Sequence, residues 1–210
     1  MSGIVLWGVG TSRTLRAHWA LQFLKLDYET RPIRTRTPAM AEAEYQAVNP
    51  RGKVPTLQDG AYTLTESAAI IAYLGERYGA PGRRLIPVDL EARGRYFEWM
   101  SFISMELDAT ALYVLRRHEG LPEIYGPAPD ASAVARAYFT RMIGAAAPAL
   151  GDGRRFLLGD DFSGVDILMT TCLDWSQRYD LELPQLFAEY RARVDAEPST
   201  ALALQANQPQ

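Results

Sequence analysis

Two short strings hold the residues best placed to bind and activate a small molecule. They are Asn49-Pro50-Arg51-Gly52-Lys53-Val54-Pro55-Thr56-Leu57 and Leu64-Thr65-Glu66-Ser67-Ala68-Ala69-Ile70. Pro55 lies just before an apolar run that reads as a strand, and a proline, which cannot donate to a sheet ladder, belongs at a strand's first residue or edge. A cis Val54-Pro55 bond would turn the Val54 backbone outward and offer its N–H and C=O to a ligand. Glu66-Ser67 stands at a predicted helix start, where unpaired N–H groups and the positive dipole end suit a carboxylate. A peptide-like ligand that carries a carboxylate would satisfy both features. A third segment, Gly8-Val9-Gly10-Thr11-Ser12-Arg13-Thr14-Leu15-Arg16, leads from a strand into another helix start that favours an anion, and a thiolate is such an anion.

These strings resemble the glutathione-binding segments of the glutathione transferase family. The resemblance covers essentially the whole chain and is strongest over the first 80 residues or so. It implies that the cis-proline loop pairs with the cysteinyl backbone of glutathione through Val54 and Pro55. It implies that Ser67 holds the γ-glutamyl carboxylate, that Glu66 sits near the ligand's amino group, and that Lys53 reaches toward the glycine carboxylate. Serine-type members carry a serine four residues ahead of an arginine, a spacing that Ser12 and Arg16 match. By resemblance the Ser12 hydroxyl would donate a hydrogen bond to the glutathione sulfur. Such a bond favours thiolate over thiol. Thr11, the adjacent hydroxyl, is the competitor for this role, and Arg13 would add positive charge near the sulfur.

Each of these residues also has a plainer reading. Ser12 could simply cap its helix, worth about 1 kcal/mol, and Glu66-Ser67 could do the same for theirs. Val54 could merely begin a strand, and Lys53 and Arg13 could be solvated loop residues. The loop ahead of the first helix holds no thiol, so thiol–disulfide exchange is not expected. It also lacks the Ser-Ser-Cys run usual in the family's isomerases.

Positioning these groups requires a recognisable order of elements. Ile4 to Trp7, Tyr28 to Ile33, Thr56 to Gln58 and Tyr62 to Leu64 read as strands. Asp59-Gly60 is a hairpin signal between the last two. Leu15 to Leu24, a segment opened by Pro38, and Ser67 to Tyr78 read as helices. The order β-α-β-α-β-β-α matches a thioredoxin-like α/β domain over residues 1–80. Gly79-Ala80-Pro81-Gly82 breaks the pattern, and an all-helical domain is expected over 88–210. Its helices read as Leu90 to Glu119, Ala131 to Leu150, Ser163 to about Tyr179, and Pro184 to about Ala196, with Leu121 to Asp130 as a loop and Pro198 as a stop. Ser163 and Asp166 form a near capping box, flanked by Phe162 and Ile167 as a hydrophobic staple. That segment also resembles a structural motif of the family's helical domain. By resemblance the long helix lines an apolar electrophile pocket, for which Phe102, Met105 and Tyr113 are the candidates. Asp108, an acidic residue on that helix, is set aside as a contact reaching across a dimer.

Bulk properties set the outer limits. The 210 residues are 48% apolar and 22% charged, with a net charge of −3 that gives no reason to expect a nucleic-acid partner. No apolar run approaches a membrane span. Met1-Ser2-Gly3-Ile4 lacks the layout of a signal peptide, so a cytoplasmic setting is expected. Cys172 is the single cysteine and is expected to be buried as a small apolar group. His18 and His118 have no partners in register for a metal site, so no metal is expected. The resemblance implies a homodimeric enzyme with glutathione as co-substrate, conjugating it to a hydrophobic electrophile in a detoxifying reaction. The alternatives are a non-catalytic interaction module on the same fold, or a glutathione-dependent lyase, isomerase or peroxidase with a narrow substrate.

Overall fold

The computed structural model describes residues 3–209; Met1 and Ser2, part of the N-terminal segment read for a signal, lie outside them, as does Gln210. The chain forms two compact units. One comprises the residues up to Ile86 together with those from Asp195 onward, and the other spans Pro87–Val194. A division into 1–80 and 88–210 therefore differs at the C-terminal end, where the last segment returns to the first unit.

The first unit begins with strand β1 (Ile4–Trp7), helix α1 (Ser12–Phe23) and strand β2 (Glu29–Arg31). A 3-10 turn opened by Pro38 leads to helix α2 (Ala43–Val48), followed by strands β3 (Thr56–Asp59) and β4 (Tyr62–Thr65) and helix α3 (Ser67–Tyr78). This is the thioredoxin-like order expected. The sheet runs β2-β1-β3-β4, with β1 parallel to β2 and the other pairs antiparallel. Asp59 pairs with Tyr62, so the hairpin loop is Gly60-Ala61, one residue later than the Asp59-Gly60 signal suggests. Asp59 is kept in the strand by its side chain, which accepts from Tyr73 at 2.7 Å and Tyr78 at 2.6 Å on α3.

Register decides where the candidate site lies. Trp7 is paired with Thr56, and Thr56 with Thr65, so one row crosses the last residue of β1, the first of β3 and the last of β4. Neighbouring strands are about 4.8 Å apart. The loop beginning at Gly8, the Val54-Pro55 pair and Glu66-Ser67 each lie one or two residues beyond that row, at the same end of the sheet.

The second unit is all helical. Helix α4 (Leu90–Phe102) continues through a π-helical stretch, Ile103–Leu112, into α5 (Tyr113–His118). The region expected as a loop contains a short helix, α6 (Pro122–Tyr125), and α7 (Pro129–Ala146) starts at a proline rather than at Ala131. Proline suits a first helical position, where its missing N–H is no loss. Helix α8 (Gly164–Gln177) is the core helix, with every residue from Gly164 to Leu173 buried. Its Asp166 carboxylate is fully enclosed and accepts from Leu157 N–H, Ser163 N–H, Ser163 Oγ and Tyr190 Oη at 2.7 to 2.9 Å. Burial raises its pKa, and these four donors oppose the rise. Cys172 is buried on the same helix. Helix α9 (Gln185–Asp195) ends the unit.

Pro198 does not only stop α9. It opens helix α10 (Pro198–Ala206), which the sequence reading missed, with the Glu197 carboxylate capping Ser199 N–H. Helix α10 packs on α1, and the Trp19 indole N–H donates to Ser199 Oγ at 2.9 Å. That cover explains why α1 is buried on nearly every residue from Thr14 to Leu21. Among the described residues no helix is long and apolar enough to cross a membrane.

Candidate functional site

The start of α1 separates two hydroxyls that the sequence leaves in competition. Thr11 is the N-cap: its Oγ1 accepts from Thr14 N–H at 3.0 Å, while Thr11 N–H donates to Thr14 Oγ1 at 2.9 Å. Ser12 occupies the first helical position, half-buried, and its hydroxyl has no hydrogen-bond partner among the described residues. Capping therefore falls to Thr11, which leaves the Ser12 hydroxyl unspent. The first turn carries no acidic residue and contains Arg13, so the positive end of the helix dipole is not neutralised from within.

Gly8 holds this loop against the cis-proline loop. Its φ is +113°, and a Cβ built there would lie 2.5 Å from Val54 Cβ and 2.9 Å from Thr14 Cγ2. Only glycine permits both the conformation and the contact. His18 supports the loop from below, bonding Gly8 O through Nε2 at 3.1 Å and Tyr28 Oη through Nδ1 at 2.8 Å. A carbonyl only accepts, so Nε2 carries the proton and Nδ1 accepts from the phenol. Burial lowers the His18 pKa to about 4. His18 is thus a neutral packing residue.

The Val54-Pro55 bond is cis. Lys53 O is gripped by Tyr45 Oη, by Asn49 Nδ2 at 2.8 Å and by Thr56 Oγ1 at 3.3 Å. The Val54 side chain packs on the Trp7, Ile33 and Tyr45 cluster, while its backbone N–H and C=O form no hydrogen bond among the described residues. Pro55 is buried and Lys53 is exposed.

Glu66 and Ser67 open α3 in an unusual way. Glu66 has φ +70° and ψ 116°, a strained conformation for a residue with a side chain, and it makes no side-chain bond to the helix N–H groups. Capping therefore does not account for it. Its carboxylate lies 3.6 Å from the Arg51 guanidinium. Ser67 is buried, and its Oγ accepts from Arg16 at 3.4 Å. Arg16, only 2% exposed, thus links the helix of Ser12 to the Ser67 end of the site. Neither Arg51 nor a binding role for Arg16 emerges from the sequence reading, although the Ser12–Arg16 spacing is visible there.

The three electrophile-pocket candidates are not gathered in one place. Phe102 lines a groove of about 510 Å³ with Trp99 and Met142. Met105 is exposed and Tyr113 is stacked by the Arg116 and Arg117 guanidinium groups; neither lines that groove. Asp108 is buried. His118 bonds Gly126 O at 2.8 Å. No group of three or more His, Cys, Asp or Glu residues is arranged to hold a metal ion among the described residues.

A thioredoxin-like unit and a helical unit in one chain, the first with an anion-ready helix start facing a cis-proline loop, are the architecture of glutathione transferases. The family model for the glutathione S-transferase N-terminal domain matches residues 12–77, and that for the C-terminal domain matches residues 104–194. Glutathione S-transferase GstA of Escherichia coli O157:H7 is 32% identical over 167 residues, which is 78% of each chain. A probable maleylacetoacetate isomerase of Vibrio cholerae is 28% identical over 221 residues, spanning 100% of this chain and 99% of its own. Among solved structures, the theta class glutathione S-transferase of Xanthomonas axonopodis pv. citri with glutathione bound superposes with a TM-score of 0.82, at 25% identity, over 97% of this chain and 98% of its own. The chain belongs to the glutathione S-transferase family.

Proposed function

We propose that the protein is a glutathione transferase that activates the thiol of glutathione for attack on a hydrophobic electrophile. The observation that carries this reading is the unspent Ser12 hydroxyl at an uncompensated helix start, with Thr11 occupied as the cap. In this reading Val54 pairs with the cysteinyl backbone through its open N–H and C=O, beside Pro55. Ser67 and the uncapped start of α3 take the γ-glutamyl carboxylate, with Glu66 near the amino group. Lys53 lies toward the glycine carboxylate. Arg13 adds positive charge near the sulfur, and Thr11 acts on the thiol only by holding the helix start.

The Ser12 O–H donates to the sulfur and stabilises the thiolate, and the thiol proton leaves to solvent. The sulfur lone pair attacks the electrophilic carbon, a C–S bond forms, and the leaving group departs with its electron pair. No bond to the protein is made. Phe102, in its groove with Trp99 and Met142, contributes apolar surface for the second substrate, and Met105 and Tyr113, which lie outside that groove, are dropped from the pocket. The active form is a cytoplasmic homodimer. A second reading, a glutathione-dependent isomerase, rests on the full-length match, at 28% identity, to the Vibrio cholerae protein.

Calorimetric titration with glutathione and S-hexylglutathione tests the reading. Micromolar-to-millimolar binding of glutathione, tightened by the hexyl group, is expected. Absence of binding by both ligands rejects it and leaves an interaction module on the same fold.

A further inference from the structure

The last residues of the chain return to the loop that holds Ser12. Asn207 Nδ2 donates to Thr11 O at 3.2 Å, and Asn207 Oδ1 accepts from Thr14 Oγ1 at 2.7 Å and from Gly10 N–H at 3.1 Å. Asn207 O also accepts from Gly10 N–H at 2.9 Å. Thr11 O can only accept, so the amide orientation is fixed by chemistry. Gly10 has φ +81°, and a Cβ there would meet Pro209 at 3.1 Å, so the chain end lies directly on the loop.

Nothing in α10 calls for this amide. Asn207 ends the helix with ordinary right-handed dihedrals, φ −87° and ψ −1°, and its backbone N–H donates to Ala203 O. Its side-chain hydrogen bonds go to Gly10 and Thr11 just ahead of Ser12 and to Thr14 just after it. Thr11 C=O and Ser12 N–H belong to one planar peptide unit. Thr11 O also accepts from Leu15 N–H at 3.0 Å and Thr14 Oγ1 at 2.9 Å, so Asn207 adds a donor from outside the helix, one that helps fix the plane and polarise the N–H at its other end.

We propose that Asn207 is a positioning residue for thiol activation, a clamp that holds the peptide ahead of Ser12 so that the hydroxyl and N–H of Ser12 converge on the glutathione sulfur. The proposal rests on the transferase reading above. Asn207 touches no substrate and acts through Thr11 and Thr14.

The test uses the full chain and two variants, Asn207→Ala and Asn207→Asp, with glutathione as the probe. The aspartate keeps both acceptors, loses the donor to Thr11 O and adds a negative charge. Affinity is read by calorimetry, and thiol ionisation by the ultraviolet absorbance of bound thiolate at one fixed pH. Loss of the clamp is expected to lower the thiolate fraction about tenfold while affinity, set mainly at α3 and Val54, stays within about threefold. Aspartate should lower it at least as far as alanine. An unchanged thiolate signal in either folded variant, or affinity falling in step with it, overturns the proposal. So does failure of both variants to fold, because Asn207 would then support the whole unit. If the unmodified protein binds glutathione with no thiolate signal, thiol activation itself fails, and the proposal falls with it.

Discussion

Ser12 and Thr11 carry the same functional group one residue apart, yet their hydroxyls stand in different positions. Thr11 is committed to a reciprocal pair of bonds with Thr14, and Ser12 is not. Thr11→Ala should therefore cost about 1 kcal/mol of stability with a smaller effect on turnover. Ser12→Ala should leave the denaturation midpoint nearly unchanged and lower turnover about 10- to 100-fold, the worth of one hydrogen bond to a charged group. Equal turnover in both variants would remove Ser12 from the mechanism. Glu66 offers a complementary experiment because its left-handed φ is a cost that glycine does not bear. Glu66→Gly should raise stability by about 1 kcal/mol and weaken glutathione binding. A destabilised Glu66→Gly protein would show that the ion pair with Arg51 outweighs the backbone strain.

At the scale of elements, His18 ties α1 to the loop after β1 and to Tyr28. Its folded pKa of about 4 lies below the ordinary 6.5, so the unfolded chain takes up a proton that the folded chain refuses. The stabilisation is complete above pH 6.5 and is lost as pH falls toward 4, about 3 kcal/mol in all. Urea midpoints measured from pH 7.5 to 4 should decline through this window, and His18→Gln should flatten the decline. An unchanged slope in the variant would assign the loss to other groups. Elements of this kind were largely legible in the sequence. Apolar and helical periodicity placed β1, α1 and α3 to within a few residues, and local punctuation placed others: Pro38 ahead of α2, Gly60 in the β3–β4 hairpin and the Ser163–Asp166 pair at the start of α8. The π-helical stretch from Ile103 to Leu112 carries no such mark. The split between Thr11 and Ser12 was also hidden, since both are good caps and only the backbone path chooses between them. Asn207 and Arg51 were illegible for a different reason. Their partners lie far along the chain or across a loop, and no spacing rule connects them.

At the scale of the molecule, the informative departure is α10. A proline after a helix reads equally as an end and as a beginning, so Pro198 concealed a helix that belongs to the first unit. That unit is consequently built from the two ends of the chain. Trp19 is 1% exposed, with its indole N–H on Ser199, and α1 packs against both α10 and α3. Ending the chain at Glu197 would uncover Trp19 and its neighbours. Exposing one large apolar side chain costs about 2 kcal/mol, and several neighbours are exposed with it. That is a large share of the 5 to 15 kcal/mol typical of a domain. The shortened chain should therefore lose cooperative unfolding in the first unit, followed by tryptophan fluorescence in urea, while the far-ultraviolet signal of the helical unit persists. Residues 1–86 alone should behave as a partly folded domain, and linking them to residues 195–210 should restore a single transition. A cooperative, stable 1–86 fragment would show that α10 is an accessory to that domain, and the clamp it carries at Asn207 would then be separable from the fold.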